Sequence, residues 1–442
     1  MKNTLIDKTN NYTAFIGIIG LGYVGLPLAI TFSKKFHTIG YDISDKFITN
    51  LLRGKSHILD VPDNTLQTYL GKSFFPTKNP EDLKKCDFLI ICVPTPLSEQ
   101  KEPDLSYIKN ACRTISRVLQ KGQFIILEST TYPGTTEEVV LPILESSGFR
   151  VVKDFGLAYS PERIDPGNKQ FNVESTPKIV GGINDECTEV AAVLYGSIIN
   201  KIIKVKDTKT AEAVKIVENI FRNVNIALVN ELALIFEKME INTWEVIEAA
   251  SSKPYGFMPF YPGPGIGGHC IPLDPYYMSY RAKNFGFIPR FIETSGEINS
   301  FMKVHAVNLV KKGLAKVNKK IYRSKVAVLG LAYKKNIDDT RESPSINIIE
   351  ELINLGANVK VYDPFVGSIK TKVGTFYSEH AIEGVVKESD CAIFVIDHDC
   401  FRNLNIKELV KLMNSPVVID CKNLNYNSSD IIYYGIGKNN GN

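Results

Sequence analysis

Short, continuous apolar runs recurring between helical segments constrain this chain more than any other feature. Ala14–Gly20, Thr38–Asp42, Phe88–Val93, Phe124–Leu127 and Lys178–Val180 are runs of this kind, with a helical segment over Val24–Phe36 between the first two. Uniformly apolar strands are buried on both faces, and helices between them provide the cover, so the pattern predicts a parallel sheet flanked by helices. It ends near Val205 and returns at Lys325–Gly330, Val359–Asp363, Ala392–Ile396 and Val417–Asp420, with a helix over Ser345–Leu355. Between the two patterns the period changes. Thr208–Glu240 holds 33 residues without Gly or Pro, which as one helix would be roughly 50 Å long. Its apolar positions occupy more than one face, which predicts burial on several sides, including against another subunit. Further helices are expected over Trp244–Ser252, Pro275–Phe285 and Ile292–Lys316, and the polar ends Met1–Thr13 and Lys438–Asn442 are expected to fray.

Composition narrows the function classes. With 442 residues there is chain enough for several cores, and 52 basic against 48 acidic residues leave a net charge of +4, too little for a nucleic-acid partner. No apolar run approaches the ~18 residues of a membrane span, and Met1–Thr13 lacks the apolar stretch of a signal peptide, so a cytoplasmic protein without a membrane partner is expected. Eight Cys without a Cys-x-x-Cys pair read as thiols, and six His without paired spacing give no metal site.

Several segments carry chemistry. Gly20-Leu-Gly22-Tyr23-Val24-Gly25 follows a strand, opens a helix, and is answered by Asp42, 22 residues after Gly20. Gly20 permits the tight turn, Gly22 lets the backbone approach a pyrophosphate, Gly25 lets helix and strand pack, and the helix N-terminus favours phosphate. Asp42 would bond ribose hydroxyls and repel a 2′-phosphate, so NAD is the expected cofactor. The expected fold is thus α/β, with two Rossmann-like parallel-sheet domains over 14–205 and 321–437, joined by a central helical domain over 206–320 with one long helix. Pro262–Asp274, with Gly265, Cys270 and Asp274, presents a thiol on a Gly/Pro-rich loop beside a carboxylate, which suits a nucleophile; an inert cysteine is the alternative. Lys215, Asn219 and Arg222 are spaced along one face of the long helix, where a snorkelling Lys is the alternative to a site. Thr95, Glu128–Thr130 and Glu162–Asp165 follow strands at the edge where open α/β sheets bind ligands, and Tyr333, Lys334 and Arg341 follow the strand of the second pattern. There two Lys replace the glycine pattern, which suits an anion such as a diphosphate.

Gly20-Leu-Gly-Tyr-Val-Gly-Leu-Pro, Glu128-Ser-Thr-Thr-Tyr-Pro-Gly-Thr-Thr-Glu, Gly267-Gly-His-Cys-Ile-Pro-Leu-Asp and Asp339-Thr-Arg-Glu-Ser resemble, in order over about residues 14–425, the UDP-glucose/GDP-mannose dehydrogenase family. Ser160–Asn168 and Lys253–Gly265 resemble the UDP-N-acetylglucosamine 6-dehydrogenases within it. The UDP-glucose enzymes carry an Arg before the catalytic cysteine, and this chain has none between Trp244 and Cys270. The resemblance implies a four-electron oxidation of a sugar C6 alcohol, with Cys270 holding a thiohemiacetal and then a thioester. It implies Lys215 and Asn219 on the reacting oxygen, and Thr130, Glu162 and Asp274 on water or protons. It implies Arg163, Ile164, Arg222, Tyr261, Gly265, Tyr333 and Lys334 as contacts of a UDP-sugar, alongside Glu162, Lys215 and Asn219. Tyr23, Val24, Thr95, Thr130 and Arg341 join Gly20, Gly22, Gly25 and Asp42 on NAD. The substrate implied is UDP-N-acetylglucosamine, for polysaccharide or glycan synthesis by a homodimer or higher oligomer. The alternatives are UDP-N-acetylmannosamine, UDP-N-acetylgalactosamine or UDP-glucose, a single-step β-hydroxyacid dehydrogenase, and a non-catalytic NAD or sugar-nucleotide sensor.

Overall fold

A computed structural model describes residues 1–58, 60–98, 100–163, 172–426, 428 and 430–438. The chain divides into two compact units, Met1–Glu218 with Tyr276–Ile288, and Asn219–Pro275 with Pro289–Asn442. Among the described residues no helix is long and apolar enough to cross a membrane.

The first unit is built on eight strands: β1 Phe15–Ile19, β2 His37–Tyr41, β3 Phe74–Thr77, β4 Phe88–Ile91, β5 Phe124–Leu127, β6 Gly156–Tyr159, β7 Lys178–Gly182 and β8 Ile202–Lys204. Their order is β3-β2-β1-β4-β5-β6-β7-β8. Ile16 pairs with Thr38 on one side and Phe88 on the other, and Ile16, Ile18, Phe88, Ile90, Phe124 and Ile126 are fully buried, as strands covered on both faces require. Because β1 lies between β2 and β4, strand order reverses beside it, which opens a ligand crevice at its carboxyl end. One pairing departs from the expected parallel pattern: β7 runs antiparallel to β6. The β7 residues that make this pairing are glycines in crowded backbone: a Cβ on Gly181 would lie 2.2 Å from the Asp207 carbonyl oxygen and one on Gly182 2.3 Å from Thr188 N.

The N-terminus does not fray. Lys2–Asn10 is a helix whose Leu5 is buried in the first core, and Lys8 Nζ bonds Asp87 Oδ1 at 2.6 Å. Only Leu5 and Ile6 are apolar in this helix, too few to show a period in the sequence. At the other end Lys438 is buried.

The second unit holds a parallel sheet of β9 Lys325–Leu329, β10 Asn358–Tyr362, β13 Cys391–Phe394, β14 Val417–Asp420 and β15 Ile432–Gly435 in the order β10-β9-β13-β14-β15. The hairpin β11 Ser368–Thr371 and β12 Gly374–Tyr377, and β15 itself, were not visible in the apolar pattern. Met302, Ala306, Val310 and Leu314 of the helix Arg290–Lys316 join Val326, Val328, Ile393 and Ile419 in one core.

The long helix runs Thr208–Lys238. In the single chain it is not buried on all sides. Asn219, Asn223 and Asn230 are buried, whereas Phe221, Leu228 and Ile235, seven residues apart, are half-exposed. Apolar Ile216, Ala227, Val229 and Ala233 share the buried side with the asparagines, so that side needs polar partners as well as apolar ones, while the exposed apolar row leaves a second face to be covered.

Truncating Leu5, which sits at 2% exposure, should cost about 2–4 kcal/mol. Urea unfolding of Leu5→Ala checks this, and a loss under about 0.5 kcal/mol would show that the N-terminal helix adds nothing to the fold.

Candidate active site

In the first unit the chain turns at Gly20, whose φ of +92° only glycine adopts freely. A Cβ on Gly25 would lie 1.8 Å from the Gly20 carbonyl oxygen, whereas one on Gly22 would meet nothing within 4 Å. Gly25 is therefore a packing glycine and Gly22 faces open space. The helix Gly25–Ser33 opens there with no side chain capping it; Leu26 N already donates to the Gly22 carbonyl at 3.1 Å and Pro27 has no N–H, so it is the positive end of the helix, not a row of open amides, that favours an anion. Tyr23 is exposed and Val24 half-buried beside them. Asp42, half-buried at the end of β2, accepts Leu21 N and Ser44 N at 2.8 Å each. His57, unnoticed in the sequence, bonds the Leu21 carbonyl at 2.8 Å and stacks on Phe47 at 3.9 Å. An open glycine, a helix N-terminus without a side-chain cap and an acid at the next strand end fit the pyrophosphate and ribose of NAD.

Beyond β4 and β5 the same unit buries ionisable groups. Thr95 is half-buried and its carbonyl accepts the Tyr277 hydroxyl; Thr130 is half-buried beside the buried Thr131, whose hydroxyl meets that of Thr135 at 2.6 Å. Lys178 bonds Glu128 and, at 2.9 Å, Glu162; Tyr195 donates to the other oxygen of Glu128 at 2.6 Å. Burial pushes the Glu128 carboxyl up to about 7, with Lys178 opposing and Glu162 adding to the rise. Burial also presses the Lys178 ammonium down, but the two carboxylates more than reverse this and hold it charged. Two carboxylates share one ammonium, so Glu128 is where an extra proton enters. Glu162 also accepts Arg163 N at 2.7 Å, and Arg163 pairs with Glu218 at 2.6 Å and donates to the Pro177 carbonyl at 2.6 Å. Ile164 lies outside the described residues. Lys215 is buried on the long helix, and one turn earlier Glu212 accepts Gly134 N at 2.5 Å, Thr136 N at 2.8 Å and the Thr136 hydroxyl at 2.7 Å. Nothing in the sequence pattern marked Glu128, Lys178, Tyr195 or Glu212 as a group, because the strands and helix that carry them are far apart in the chain.

In the second unit, side chains of the long helix meet the loop that carries Cys270 at three points. Asn219 Nδ2 donates to Asp274 Oδ2 at 2.6 Å, Asn223 Nδ2 to the Ile271 carbonyl at 3.0 Å, and Asn230 Oδ1 accepts Gly263 N at 2.9 Å. Asn299 and Ser295 complete the set: Asn230 donates to Asn299 at 2.9 Å, and Ser295 to Asn223 at 2.7 Å. Asn223, not Arg222, continues the buried face; Arg222 is exposed. Cys270 is exposed, and its carbonyl accepts Asp274 N at 2.8 Å on the turn that opens the helix Asp274–Asn284. Gly265 has φ +114° and Gly268 φ +84°. A Cβ on Gly267 would lie 2.6 Å from Tyr333 Cβ, and Gly268 N donates to the Arg341 carbonyl at 3.0 Å, so the thiol loop packs directly on the 331–342 loop. Tyr333 and Lys334 are half-buried on that loop, and Asp339 grips the Arg341 guanidinium through Nε at 3.0 and 2.9 Å and Nη2 at 2.6 Å. Tyr261 stacks on Trp244 with ring centres 5.5 Å apart.

Glu212 gives a pH signature. Burial pushes its carboxyl up to about 7, above the ordinary 4.5, against the opposing bonds from Thr136 and Gly134. The proton held in the folded state therefore stabilises fully below about 4.5, and this contribution is lost as pH rises through about 7. Relative to wild type, Glu212→Gln should gain stability between about pH 5 and pH 8 in urea unfolding, and a difference constant over that span would contradict the assignment.

Three models of the UDP-glucose/GDP-mannose dehydrogenase family match the chain: the NAD binding domain over residues 14–199, the central domain over 209–301 and the UDP binding domain over 327–426. A UDP-N-acetyl-D-glucosamine 6-dehydrogenase of Pseudomonas aeruginosa is 39% identical over 413 residues, covering 91% of this chain and 95% of the relative. The solved structure of a UDP-D-ManNAc dehydrogenase from Pyrococcus horikoshii matches with a TM-score of 0.90 at 37% identity, over 96% of this chain and 100% of the other. That of an NDP-N-acetyl-D-galactosaminuronic acid dehydrogenase from Methanosarcina mazei Go1 matches with a TM-score of 0.85 at 30% identity, over 99% and 98%. The chain with these two Rossmann-type sheets and this thiol loop belongs to the UDP-glucose/GDP-mannose dehydrogenase family, the NAD-dependent nucleotide-sugar dehydrogenases.

Proposed function

We propose that this nucleotide-sugar dehydrogenase oxidises the C6 alcohol of UDP-N-acetylglucosamine to the carboxylate. Residues 14–205 would serve NAD, 206–320 the thiol loop and subunit contact, and 321–437 the UDP-sugar. The observation that carries the chemistry is an exposed thiol on a loop pinned by Asn219, Asn223 and Asn230. A thiol so placed is accessible to substrate while its backbone is held still, as a nucleophile requires.

Bound NAD supplies the hydride acceptor, one molecule for each of the two oxidations. Lys215 takes the alcohol proton or holds the resulting oxygen, and Asn219 donates to the same atom. The Cys270 thiolate adds to the aldehyde carbon as a thiohemiacetal, which keeps the aldehyde on the protein; loss of a second hydride leaves a thioester. Water, oriented by Thr130, Glu162 and Asp274, cleaves the C–S bond and returns the thiol. Gly20, Gly22, Tyr23, Val24, Gly25, Asp42, Thr95 and Arg341 serve the cofactor. Arg163, Ile164, Arg222, Tyr261, Gly265, Tyr333 and Lys334 serve the sugar nucleotide, with the Lys334 ammonium on the diphosphate.

The 39% identity to the glucosamine enzyme and the Ser160–Asn168 and Lys253–Gly265 segments support this substrate. UDP-N-acetylmannosamine is the second substrate to weigh, since the Pyrococcus horikoshii structure of that activity matches at TM-score 0.90. The sensor alternative draws no support from relatives that are dehydrogenases. The stripe Phe221, Leu228 and Ile235 supports a homodimer, because a heptad-spaced apolar row buries well against its own copy. The eight thiols suit the reducing cytoplasm.

Two NADH per UDP-N-acetylglucosamine, with little yield from UDP-glucose, are expected across a panel of UDP-sugars; one NADH per sugar would reject the thioester route. Cys270→Ala should lower turnover by at least about 10³-fold while leaving NAD binding intact, and full turnover would favour a single-step dehydrogenase. Sedimentation should give a dimer that Leu228→Lys converts to monomer, and a wild-type monomer would remove the interface.

A further inference from the structure

The same backbone device heads both sheets, but its surroundings differ. In the first unit Gly20, at φ +92°, ends β1 and the next amide, Leu21 N, donates to Asp42 at 2.8 Å. In the second, Gly330, at φ +93°, ends β9 and Leu331 N donates to Asp363 Oδ2 at 2.6 Å. Asp42 is half-buried, in reach of a ribose. Asp363 is enclosed: Oδ2 also takes Ala332 N at 3.1 Å and His398 Nε2 at 3.0 Å, while Oδ1 takes Phe365 N at 2.8 Å and Val366 N at 3.0 Å. Burial pushes this carboxyl up, but His398 and the Leu331 and Phe365 amides hold it below the usual carboxylate range.

His398 is the link from this anchored acid to the substrate loop. Its side chain is fully buried, with Phe365 and Phe401 rings 5.1 and 5.3 Å from its own. Its Nδ1 faces Asn336 N at 2.9 Å. A backbone N–H can only donate, so Nδ1 carries the lone pair and the proton sits on Nε2, toward Asp363. Asn336 stands on the 331–342 loop just after Tyr333 and Lys334, with φ +60°. Its side chain has a second tether, to Asp399 Oδ2 at 2.6 Å and from Asp399 N at 3.1 Å. A segment carrying a left-handed residue keeps its shape through such bonds, and the Asn336 amide, half-buried against His398 although the residue itself is exposed, turns to water when it loses this acceptor.

We propose that His398 is a positioning residue for the uridine-diphosphate end of the substrate, fixing the Asn336 amide and through it the Tyr333–Lys334 segment. This rests on the assignment of Tyr333 and Lys334 to the diphosphate made above. It concerns the ground-state grip on the nucleotide, so affinity should change while turnover at saturation does not.

Two amides at position 398 separate the role from simple packing. The Asn side chain ends where Nδ1 lies and can still accept from Asn336 N; Gln ends near Nε2 and can serve only Asp363. Titrating UDP into the full-length protein, His398→Asn should stay within about twofold of wild type and His398→Gln should bind about tenfold more weakly, one lost hydrogen bond. The KM for the UDP-sugar should follow, with kcat and the KM for NAD unchanged in both. Equal UDP affinity in the two variants overturns the proposal, because a packing defect acts on both alike. Lys334→Ala tests the site itself: weakening of UDP by about tenfold or more supports it, and unchanged affinity removes the site and the proposal together. Should neither amide variant fold, the ring nitrogens of His398 in the wild-type protein, read by 15N NMR, replace them; a proton on Nε2 with Nδ1 bare supports the proposal, and a proton on Nδ1, which could not accept from Asn336 N, overturns it.

Discussion

Much of the second unit's chemistry depends on three asparagines projecting from the buried face of one helix. The loop that carries Cys270 is rich in Gly and Pro, and such a segment has little shape of its own. Asn219, Asn223 and Asn230 impose one by bonding Asp274, the Ile271 carbonyl and Gly263 N. The dependence is mutual. Buried mid-helix amides without partners would each cost a desolvation penalty of about 1–3 kcal/mol, so the helix needs the loop as much as the loop needs the helix.

The first unit solves a different problem, holding charge where water is excluded. Glu128, Glu162 and Lys178 are buried together, and Tyr195 and the Arg163 amide supply the further donors that two carboxylates around one ammonium call for. Glu212 follows the same logic with three donors, and among the described residues no cation is bonded to it. In both places the protein fixes carboxylates beside loops that leave the carboxyl ends of strands, so that little reorganisation is required when charge moves nearby.

Much of the fold was legible in the sequence. Both apolar strand series, the long helix and the glycine turn at Gly20 follow from local rules: a strand buried on both faces must be apolar throughout, and a turn at positive φ selects glycine. The illegible parts share a cause. The N-terminal helix carries two apolar residues, β15 and the β11–β12 hairpin are short or half-exposed, and the antiparallel direction of β7 against β6 leaves no mark in the residues of either strand. Each is stabilised by contacts rather than by its own pattern.

The site divides along the same line. Residue type and spacing were enough to single out the candidate groups: the glycine turn with Asp42, the thiol at Cys270, the Lys and Asn on the long helix, and the cations after β9. Each is marked by residue type and spacing within a few turns of chain. How those groups are held became visible in the folded chain alone. Lys178 stands 50 positions from Glu128, Asn230 33 from Gly263 and His398 62 from Asn336. Spacing carries no record of such pairings, because they are set by strand order and helix packing, and a hydrogen bond between distant residues exists only once the chain has brought them within 3 Å.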